Sequence, residues 1–308
     1  MARRRRGIAL HGWLVLDKPY GMSSGQAVGA VRRLTGAAKV GHGGTLDPLA
    51  SGILPIALGE ATKTVAFAMA GHKTYRFALR WGEARSTDDV EGEIVATSQV
   101  RPSDAEIRAA LPRFTGTIAQ VPPAYSALKL GGRRAYAMAR AGEAVELAPR
   151  EVEILSLELV AAPDPDHAEF EMVTGKGAYV RALGRDLARA LGTVAHVAAL
   201  RRLAVGPFTL DLAISLDKLE ALGHSPAAFE HLLPLETALD DIPALALTEA
   251  EAHRLRHGQP VIPLLPAEQA RLAQLGNGAL IRAKDGTALV ALAEIADGAL
   301  RPVRVINL

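Results

Sequence analysis

The chain has 308 residues, and 49% of them are hydrophobic, which suffices for about two domains with buried cores. The absence of cysteine excludes disulfides, thiol nucleophiles and thiolate zinc sites, and it fits a reducing compartment. No apolar signal core follows the basic residues 1–6, and no segment is apolar for the length of a membrane span. We therefore expect a cytoplasmic protein that does not engage a membrane.

The net charge of +2 is unevenly distributed along the chain. Arginine and lysine dominate residues 1–40, whereas aspartate and glutamate dominate residues 217–252. Further cations lie beside glycines and aromatic residues in the middle of the chain, a pattern typical of nucleic-acid binding. A disordered, solubilising tail over residues 1–9 explains the N-terminal arginines equally well, so both explanations stay open for that segment.

The first elements in chain order indicate a mixed α and β fold. Residues 10–16 are strand-like, and Ser23 or Ser24 caps a helix that Gly36 ends. Residues 75–81 alternate strictly, as expected for a strand with one buried face. A capping box then opens a short helix at Ser103, which Pro112 ends.

The later elements continue this pattern. Residues 122–134 combine proline, glycine and cations, which predicts a mobile basic loop able to close on a ligand. Residues 152–159 and 168–174 alternate and predict a hairpin, and a glycine-rich turn leads into a helix that Gly192 ends. We expect Arg185 and Arg189 on the solvated face of this helix. After a linker near residue 243, Thr248 and Glu251 predict a capped short helix that Gly258 ends. Short apolar runs then predict a small β-rich appendage over residues 244–308.

The segment 40–52 carries the most chemical information because it presents a single carboxylate on a constrained backbone. Its glycines permit positive φ and close approach of a ligand, whereas Pro48 holds Asp47 extended. No second carboxylate or imidazole stands nearby at ligand spacing, so a metal cage is excluded there. A lone carboxylate in apolar company suits a nucleophile or general base. An Asx turn before proline remains the ordinary alternative for the dipeptide alone.

Several motifs together resemble one family in order and spacing across residues 10–210. The chain is similar to the bacterial tRNA pseudouridine-55 synthases, the TruB family, and residues after about 244 resemble the degenerate PUA-type RNA-binding domain of these enzymes. The motifs that carry the resemblance are Val15-Leu16-Asp17-Lys18-Pro19, Gly21-Met22-Ser23-Ser24, Gly41-His42-Gly43-Gly44-Thr45-Leu46-Asp47-Pro48-Leu49-Ala50-Ser51-Gly52, Leu58-Gly59-Glu60-Ala61-Thr62-Lys63, Lys73-x-Tyr75, Pro122-Pro123-Ala124-Tyr125-Ser126-Ala127-Leu128-Lys129, Gly175-x-Gly177-x-Tyr179-x-Arg181 and Leu200-Arg201-Arg202.

The resemblance implies an α+β fold, with a mixed, largely antiparallel sheet flanked by helices. It implies a catalytic domain over residues 1–243, with a mobile RNA-gripping insertion at about 122–148, and a PUA-like domain over residues 244–308. The implied activity converts uridine at position 55 in the tRNA T-loop to pseudouridine without a cofactor or metal. We expect a monomer whose partner is the T-arm of tRNA.

The resemblance also implies roles for individual residues. Asp47 would attack the substrate, and Arg181 would pair with Asp47 and aim it. A uridine inside a folded loop must leave the stack to be reached, so His42 would fill the vacated space and Tyr75 would stack on the flipped uracil.

Further residues would shape the pocket and hold the RNA. Tyr179 and Leu200 would line the uracil pocket, although both also fit ordinary core positions. Lys18 and Pro19 would support the catalytic loop. The cations assigned to phosphate contacts from the mobile segment are Lys129, Arg133 and Arg134.

Two other functions are compatible with parts of the sequence. A non-catalytic tRNA-binding or tRNA-folding protein could use the same scaffold, although the complete set of Asp47, Tyr75 and Arg181 argues against lost chemistry. A nucleotide or phosphate-ester enzyme could use the glycine-rich segment as a phosphate cradle. That segment lacks the Gly-Lys-Ser/Thr ending of a P-loop, which disfavours this class.

Overall fold

A computed structural model describes residues 7–126, 128–143, 145–223 and 225–308. Its strands are β1 Gly12–Lys18, β2 Val40–His42, β3 Ala50–Leu58, β4 Lys73–Trp81, β5 Glu83–Arg85, β6 Ile94–Thr97, β7 Gly116–Gln120, β8 Lys129–Leu130, β9 Arg133–Arg134, β10 Arg150–Asp164, β11 His167–Thr174, β12 Ala195–Val205, β13 Phe208–Thr209, β14 Ile214–Ser215, β15 Leu232–Leu233, β16 Ala244–Ala246, β17 Leu280–Asp285, β18 Ala288–Ala296 and β19 Ala299–Val305. Its α-helices are α1 Ser24–Thr35, α2 Val65–Ala70, α3 Asp104–Ala110, α4 Ala135–Arg140, α5 Val180–Ala190, α6 Leu216–Leu222, α7 Pro226–Phe229, α8 Glu249–Arg256 and α9 Pro266–Leu275.

A mixed sheet of 11 strands organises the first part of the chain, with β14-β1-β3-β12-β4-β11-β10-β7 as its main path. Most neighbours are antiparallel, but β1 runs parallel to β14 and β3 runs parallel to β12. The predicted α+β class with a largely antiparallel sheet is therefore confirmed. None of the helices in the described ranges has both the length and the apolar character that crossing a bilayer requires.

Strand β1 is buried on both faces, which explains its uninterrupted apolar sequence. Leu14 and Leu16 pack into the cluster that α1 and α5 cover. Trp13 and Val15 point to the opposite face and pack into a second cluster. The sheet therefore has a core on each side, and the loops at its edge are anchored to a rigid base.

Helices α1 and α5 begin and end close to where the sequence places them. Ser23 caps α1 through a complete capping box, and Gly36 ends it in the left-handed region at φ 64°. Helix α5 starts at Val180, immediately after the glycine-rich turn. The hairpin is confirmed as β10 and β11, although β10 continues to Asp164, beyond the predicted strand end.

The C-terminal segment forms its own four-stranded sheet, ordered β16-β17-β18-β19. A capping box at Thr248 starts α8 as expected, whereas the sequence analysis missed α9. Leu289, Leu292 and Ile306 pack into the same cluster as Trp13. The appendage is therefore attached to the large sheet by shared apolar burial and is not a free module.

Candidate active site

The loop that carries Asp47 leaves the large sheet between β2 and β3, and its backbone is held along its length. The amide of Gly43 donates to the carbonyl of Pro55 at 2.7 Å. The buried guanidinium of Arg202 donates to the carbonyl of Ile53 at 2.7 Å and to that of Gly44 at 3.1 Å. The loop is thus fixed by a residue of β12 for which the sequence had suggested no role beyond its place in the Leu200-Arg201-Arg202 motif.

Lys18 supports the other end of this loop. Its ammonium donates to the carbonyls of Met22 at 2.6 Å, Pro19 at 3.0 Å and Pro48 at 3.5 Å. Burial lowers the pKa of Lys18 to about 8, although the charge of Asp47 opposes this shift. Lys18 therefore ties the end of β1 to the segment that follows Asp47.

Arg181 forms the centre of a charged network at the start of α5. Its side chain is 5% exposed and lies 2.7 Å from Asp47 and 3.4 Å from the buried carboxylate of Asp89. It also donates to the carbonyls of Thr87 at 3.0 Å and Tyr125 at 2.8 Å. Four acceptors on three segments thus hold the guanidinium, whereas the carboxylate of Asp47 remains 36% exposed and open to a ligand.

A cavity of about 270 Å³ lies beside this ion pair. Its volume suits a nucleobase more than a large ligand. Four cations line it, and Asp47 is the one carboxylate in the described part of its wall. The lining residues are Gly44, Thr45, Leu46, Asp47, Met69, Lys73, Tyr75, Gly175, Lys176, Gly177, Ala178, Tyr179, Val180, Arg181, Leu200 and Arg202.

Two neighbouring strands, β4 and β12, and the start of helix α5 bring the sequence-predicted pocket residues to this cavity. Tyr75 lies on β4, opposite Met172 on one side and Arg202 on the other. Leu200 lies on β12, opposite Ala50 and Phe77. Because these strands are neighbours, residues far apart in the chain line one wall.

Tyr179 stands at the start of α5, where the chain is extended at φ −115° and ψ 117°. Burial raises the pKa of its phenol, and the charge of Asp47 acts in the same direction. The ring therefore stays neutral at physiological pH. It gives the cavity an aromatic wall next to the carboxylate.

A second cavity of about 550 Å³ lies on the other side of the same ion pair. Asp47 and Arg181 line both cavities. Tyr125 and Tyr136 meet edge to face across the second cavity, with ring centroids 6.5 Å apart, and Arg140 lies 4.4 Å over the ring of Tyr136. The basic insertion therefore lines a cavity together with the carboxylate of Asp47.

The remaining predicted residues lie outside the first cavity. His42 ends β2 opposite Ile56 and is not among the described residues that line the cavity. Arg133 forms a bidentate pair with Glu143, with N–O distances of 2.7 and 2.9 Å. Pro19 contributes a carbonyl to Lys18. The side chains of Lys129 and Arg134, assigned to phosphate contacts, lie outside the described part of the structure, as do residues 1–6 of the tail.

The expected solvent-exposed face of α5 is wrong for Arg185. Its side chain is 16% exposed and pairs with Asp88 at 3.1 Å and Asp186 at 2.9 Å. It also donates to the carbonyl of Val121 at 2.8 Å. The helix face packs against a loop that is distant in sequence, so helical periodicity alone could not reveal its burial. Arg189, one turn further, is 69% exposed as expected.

The sequence analysis missed several residues that build the site. Asp89 accepts from the hydroxyl of Thr87 at 2.5 Å while lying beside Arg181. Ser24, Gln120 and Arg202 hold the backbone next to reactive residues. For Gln120 the available signal was a polar residue that follows Ile118 and Ala119, whereas Ser24 has polar neighbours and carried no such signal. Among the described residues no group of three or more histidine, aspartate or glutamate side chains is arranged to hold a metal ion.

Lys73 offers a test of the buried charge in this cavity. Burial lowers its pKa from 10.5 to about 8, and the charges of Arg202 and Lys176 add to the effect. The ammonium of Lys73 therefore holds its proton more tightly in the unfolded chain than in the folded one. The free energy of unfolding is lowered below pH 8 and rises between pH 8 and 10.5.

We expect the free energy of unfolding of the wild type, relative to Lys73→Met, to rise by about 2 kcal/mol between pH 7.5 and 9.5. Urea denaturation at both pH values measures this difference. The exposed Lys218 provides the control, because Lys218→Met should show no such pH dependence. If the difference in free energy of unfolding between the wild type and Lys73→Met did not change with pH, the burial of the Lys73 ammonium would be contradicted.

Comparison with known sequences agrees with this geometry. Residues 32–180 match the family described as TruB family pseudouridylate synthase (N terminal domain), and residues 181–240 match the tRNA pseudouridylate synthase B C-terminal domain. A protein named tRNA pseudouridine synthase B from Rhodospirillum rubrum is 58% identical over 308 residues, covering 100% of both chains. A protein of the same name from Bradyrhizobium diazoefficiens is 56% identical, covering 99% of this chain and 88% of its own.

Solved structures share the fold at lower identity. A chain of an archaeal box H/ACA sRNP complex superposes with a TM-score of 0.71 at 22% identity, covering 99% of this chain and 92% of its own. A chain of an H/ACA RNP bound to a substrate RNA containing 2'-deoxyuridine gives a TM-score of 0.72 at 20% identity, covering 100% and 92%. The sequence matches extend over the whole chain and include the segments that build the cavity, and the chain therefore belongs to the TruB family of pseudouridylate synthases.

Proposed function

We propose that this enzyme converts uridine to pseudouridine at position 55 in the T-loop of tRNA, with Asp47 as the nucleophile acting on a flipped-out uridine. The observation that carries the proposal is the 2.7 Å pair between Asp47 and Arg181 at the wall of a base-sized cavity. The names of the relatives, which specify tRNA pseudouridine synthase B, support the substrate.

The isomerisation is balanced without any added reagent. The N1–C1′ bond breaks, a C5–C1′ bond forms, C5 loses its hydrogen as a proton, and N1 gains one. A carboxylate that bonds to one partner can hold it while the other turns. Asp47 is suited to this role because Arg181 aims it from one side while its other side faces the cavity.

The cavity is also arranged to receive an unstacked base. Tyr75 and Tyr179 offer aromatic surface and Leu200 offers apolar surface around the carboxylate. Stacking on such rings repays part of the cost of extracting a base from the loop. His42, five residues before Asp47, would fill the space that the uridine leaves.

The rest of the chain would bind the RNA backbone. We assign residues 1–243 to catalysis and residues 244–308 to a PUA-like RNA-binding domain, with the insertion 122–148 gripping phosphates. In this assignment Arg133 exchanges its pairing with Glu143 for a phosphate, and Lys129 and Arg134 act beside it. We further propose a cytoplasmic monomer that needs no metal or cofactor.

The test uses an unmodified tRNA transcript carrying tritium at C5 of its uridines. Forming the C5–C1′ bond releases one C5 hydrogen per modified uridine, so we expect about one equivalent of tritium per tRNA. Chelation with EDTA should leave the release unchanged. A transcript with cytidine at position 55 serves as the control and should release none.

Two results would contradict the proposal. Tritium release from the cytidine-55 transcript would place the modified uridine elsewhere. If the folded wild-type protein bound the transcript but released no tritium, the alternative of a tRNA-folding protein on the same scaffold would be favoured. Mapping of pseudouridine in the product RNA distinguishes these outcomes.

A further inference from the structure

Asp47 lies in the loop between β2 and β3, and Arg181 lies in the first turn of α5. A buried polar side chain contacts the backbone just before each of these residues. The hydroxyl of Ser24 donates to the carbonyl of Leu46 at 2.9 Å and accepts from the amide of Leu46 at 2.8 Å. Leu46 immediately precedes Asp47. One side chain therefore satisfies both backbone groups of the residue next to the nucleophile.

Gln120 does the same for the other half of the pair. Its side-chain oxygen accepts from the amide of Tyr179 at 2.8 Å, and its side-chain amide donates to the carbonyl of Tyr179 at 3.2 Å. Tyr179 has the extended backbone of a strand, and the primary amide of Gln120 pairs with it as a neighbouring peptide unit would. Tyr179 lies two residues before Arg181.

The side chains that make both contacts are buried, and the Ser24 bonds are fully buried whereas the Gln120 bonds are partly buried. Ser24 is 3% exposed and Gln120 is 2% exposed, and Leu46 packs in the main core. Hydrogen bonds in such surroundings are stronger than at the surface, and a backbone group that loses its partner there has no easy replacement. These contacts set the direction of the chain at the two points from which the reacting carboxylate and its guanidinium project.

On the basis of the proposed function, we propose that Ser24 and Gln120 are positioning residues for the isomerisation, each clamping the backbone beside one member of the Asp47–Arg181 pair. They touch no substrate and act through Leu46 and Tyr179. Because a displacement of about 1 Å at a reacting group can cost on the order of a hundredfold in rate, loosening either clamp should slow chemistry more than it weakens RNA binding.

The experiment measures the single-turnover rate constant of tritium release at saturating enzyme and, separately, the Kd for the tRNA transcript. We expect Ser24→Ala and Gln120→Met to lower the rate constant about tenfold or more, with Kd within about threefold of the wild type. Gln120→Glu keeps the acceptor for the amide of Tyr179 and loses the donor, so its rate constant should lie in between. Ser24→Cys is the substitute if Ser24→Ala does not fold.

Matched controls come from the capping box of α1, where the half-buried Ser23 and the exposed Gln26 bond to one another. Ser23→Ala and Gln26→Met remove the same chemical groups and should lower the Tm while leaving the rate constant within about twofold of the wild type. Equal loss of rate in these controls would overturn the proposal, because the effect would then follow stability alone.

Asp47→Asn separates this inference from the proposed function. If Asp47→Asn is inactive while Ser24→Ala or Ser24→Cys and Gln120→Met react at the wild-type rate, the positioning role is wrong and the nucleophile stands. If Asp47→Asn reacts at the wild-type rate, the assigned nucleophile itself is wrong. A higher Kd for tRNA without a lower saturated rate constant would also overturn the positioning role.

Discussion

Replacement of Asp47 by Asn is expected to lower the single-turnover rate constant by at least about 10³-fold, because an amide cannot supply the nucleophilic oxygen that the isomerisation requires. The substitution keeps the size and shape of the side chain. Since the cavity is lined by many other residues, the Kd for tRNA should change little. Tritium release from the labelled transcript measures the rate, and filter binding measures the Kd.

The matched control for this prediction is Asp17→Asn. Asp17 forms a close pair with Arg201, with N–O distances of 2.7 and 3.1 Å, outside the described lining of the cavity. Its loss should leave the rate constant within about threefold of the wild type. Product formation by Asp47→Asn at the wild-type rate would remove Asp47 from its assigned role.

The second large effect is expected for Arg181→Lys. An ammonium is a point charge and cannot reach four acceptors arranged around a planar guanidinium, so the replacement should release Asp47, Asp89 or the loop carbonyls. Loss of a preorganised donor of this kind costs on the order of 10²–10³-fold in rate. We expect that loss in the saturated rate constant, with a much smaller change in Kd.

Arg181→Met should in addition destabilise the fold by about 3 kcal/mol, because it leaves the buried carboxylate of Asp89 without its cation. Urea denaturation measures this loss in the free energy of unfolding. Arg201→Lys, in the more exposed pair with Asp17, provides the comparison and should change both rate and stability only slightly. If replacing Arg201 lowered the rate constant and the stability as much as replacing Arg181, the role assigned to Arg181 would be wrong.

Local patterns predicted the elements that depend on neighbouring residues. The capping box at Ser23, the left-handed end at Gly36 and the alternation along β4 are all encoded within a few residues, and the structure contains each of them. The contact between Asp47 and Arg181 was expected only through the family resemblance. Spacing in the chain carries no information about a pair 134 residues apart.

The residues whose burial the sequence did not reveal share one physical cause. Arg185 and the clamp residues Ser24 and Gln120 have ordinary polar side chains, and their burial depends on which distant segment folds over them. A cation on a helix looks the same in sequence whether it faces water or a loop carbonyl. Only the packing of that loop against α5 decides between these environments.

The amino-acid sequence by itself determined the glycine-rich loop that presents Asp47, the apolar strands that anchor it and the ends of α1 and α5, because these follow from local backbone preferences and hydrophobic periodicity. The tertiary structure decided which cations are buried, which carboxylates accompany Arg181 and which side chains clamp the loop. These depend on the parallel pairing of β3 with β12 and on the place of β4 next to β12, which bring distant segments within hydrogen-bond distance.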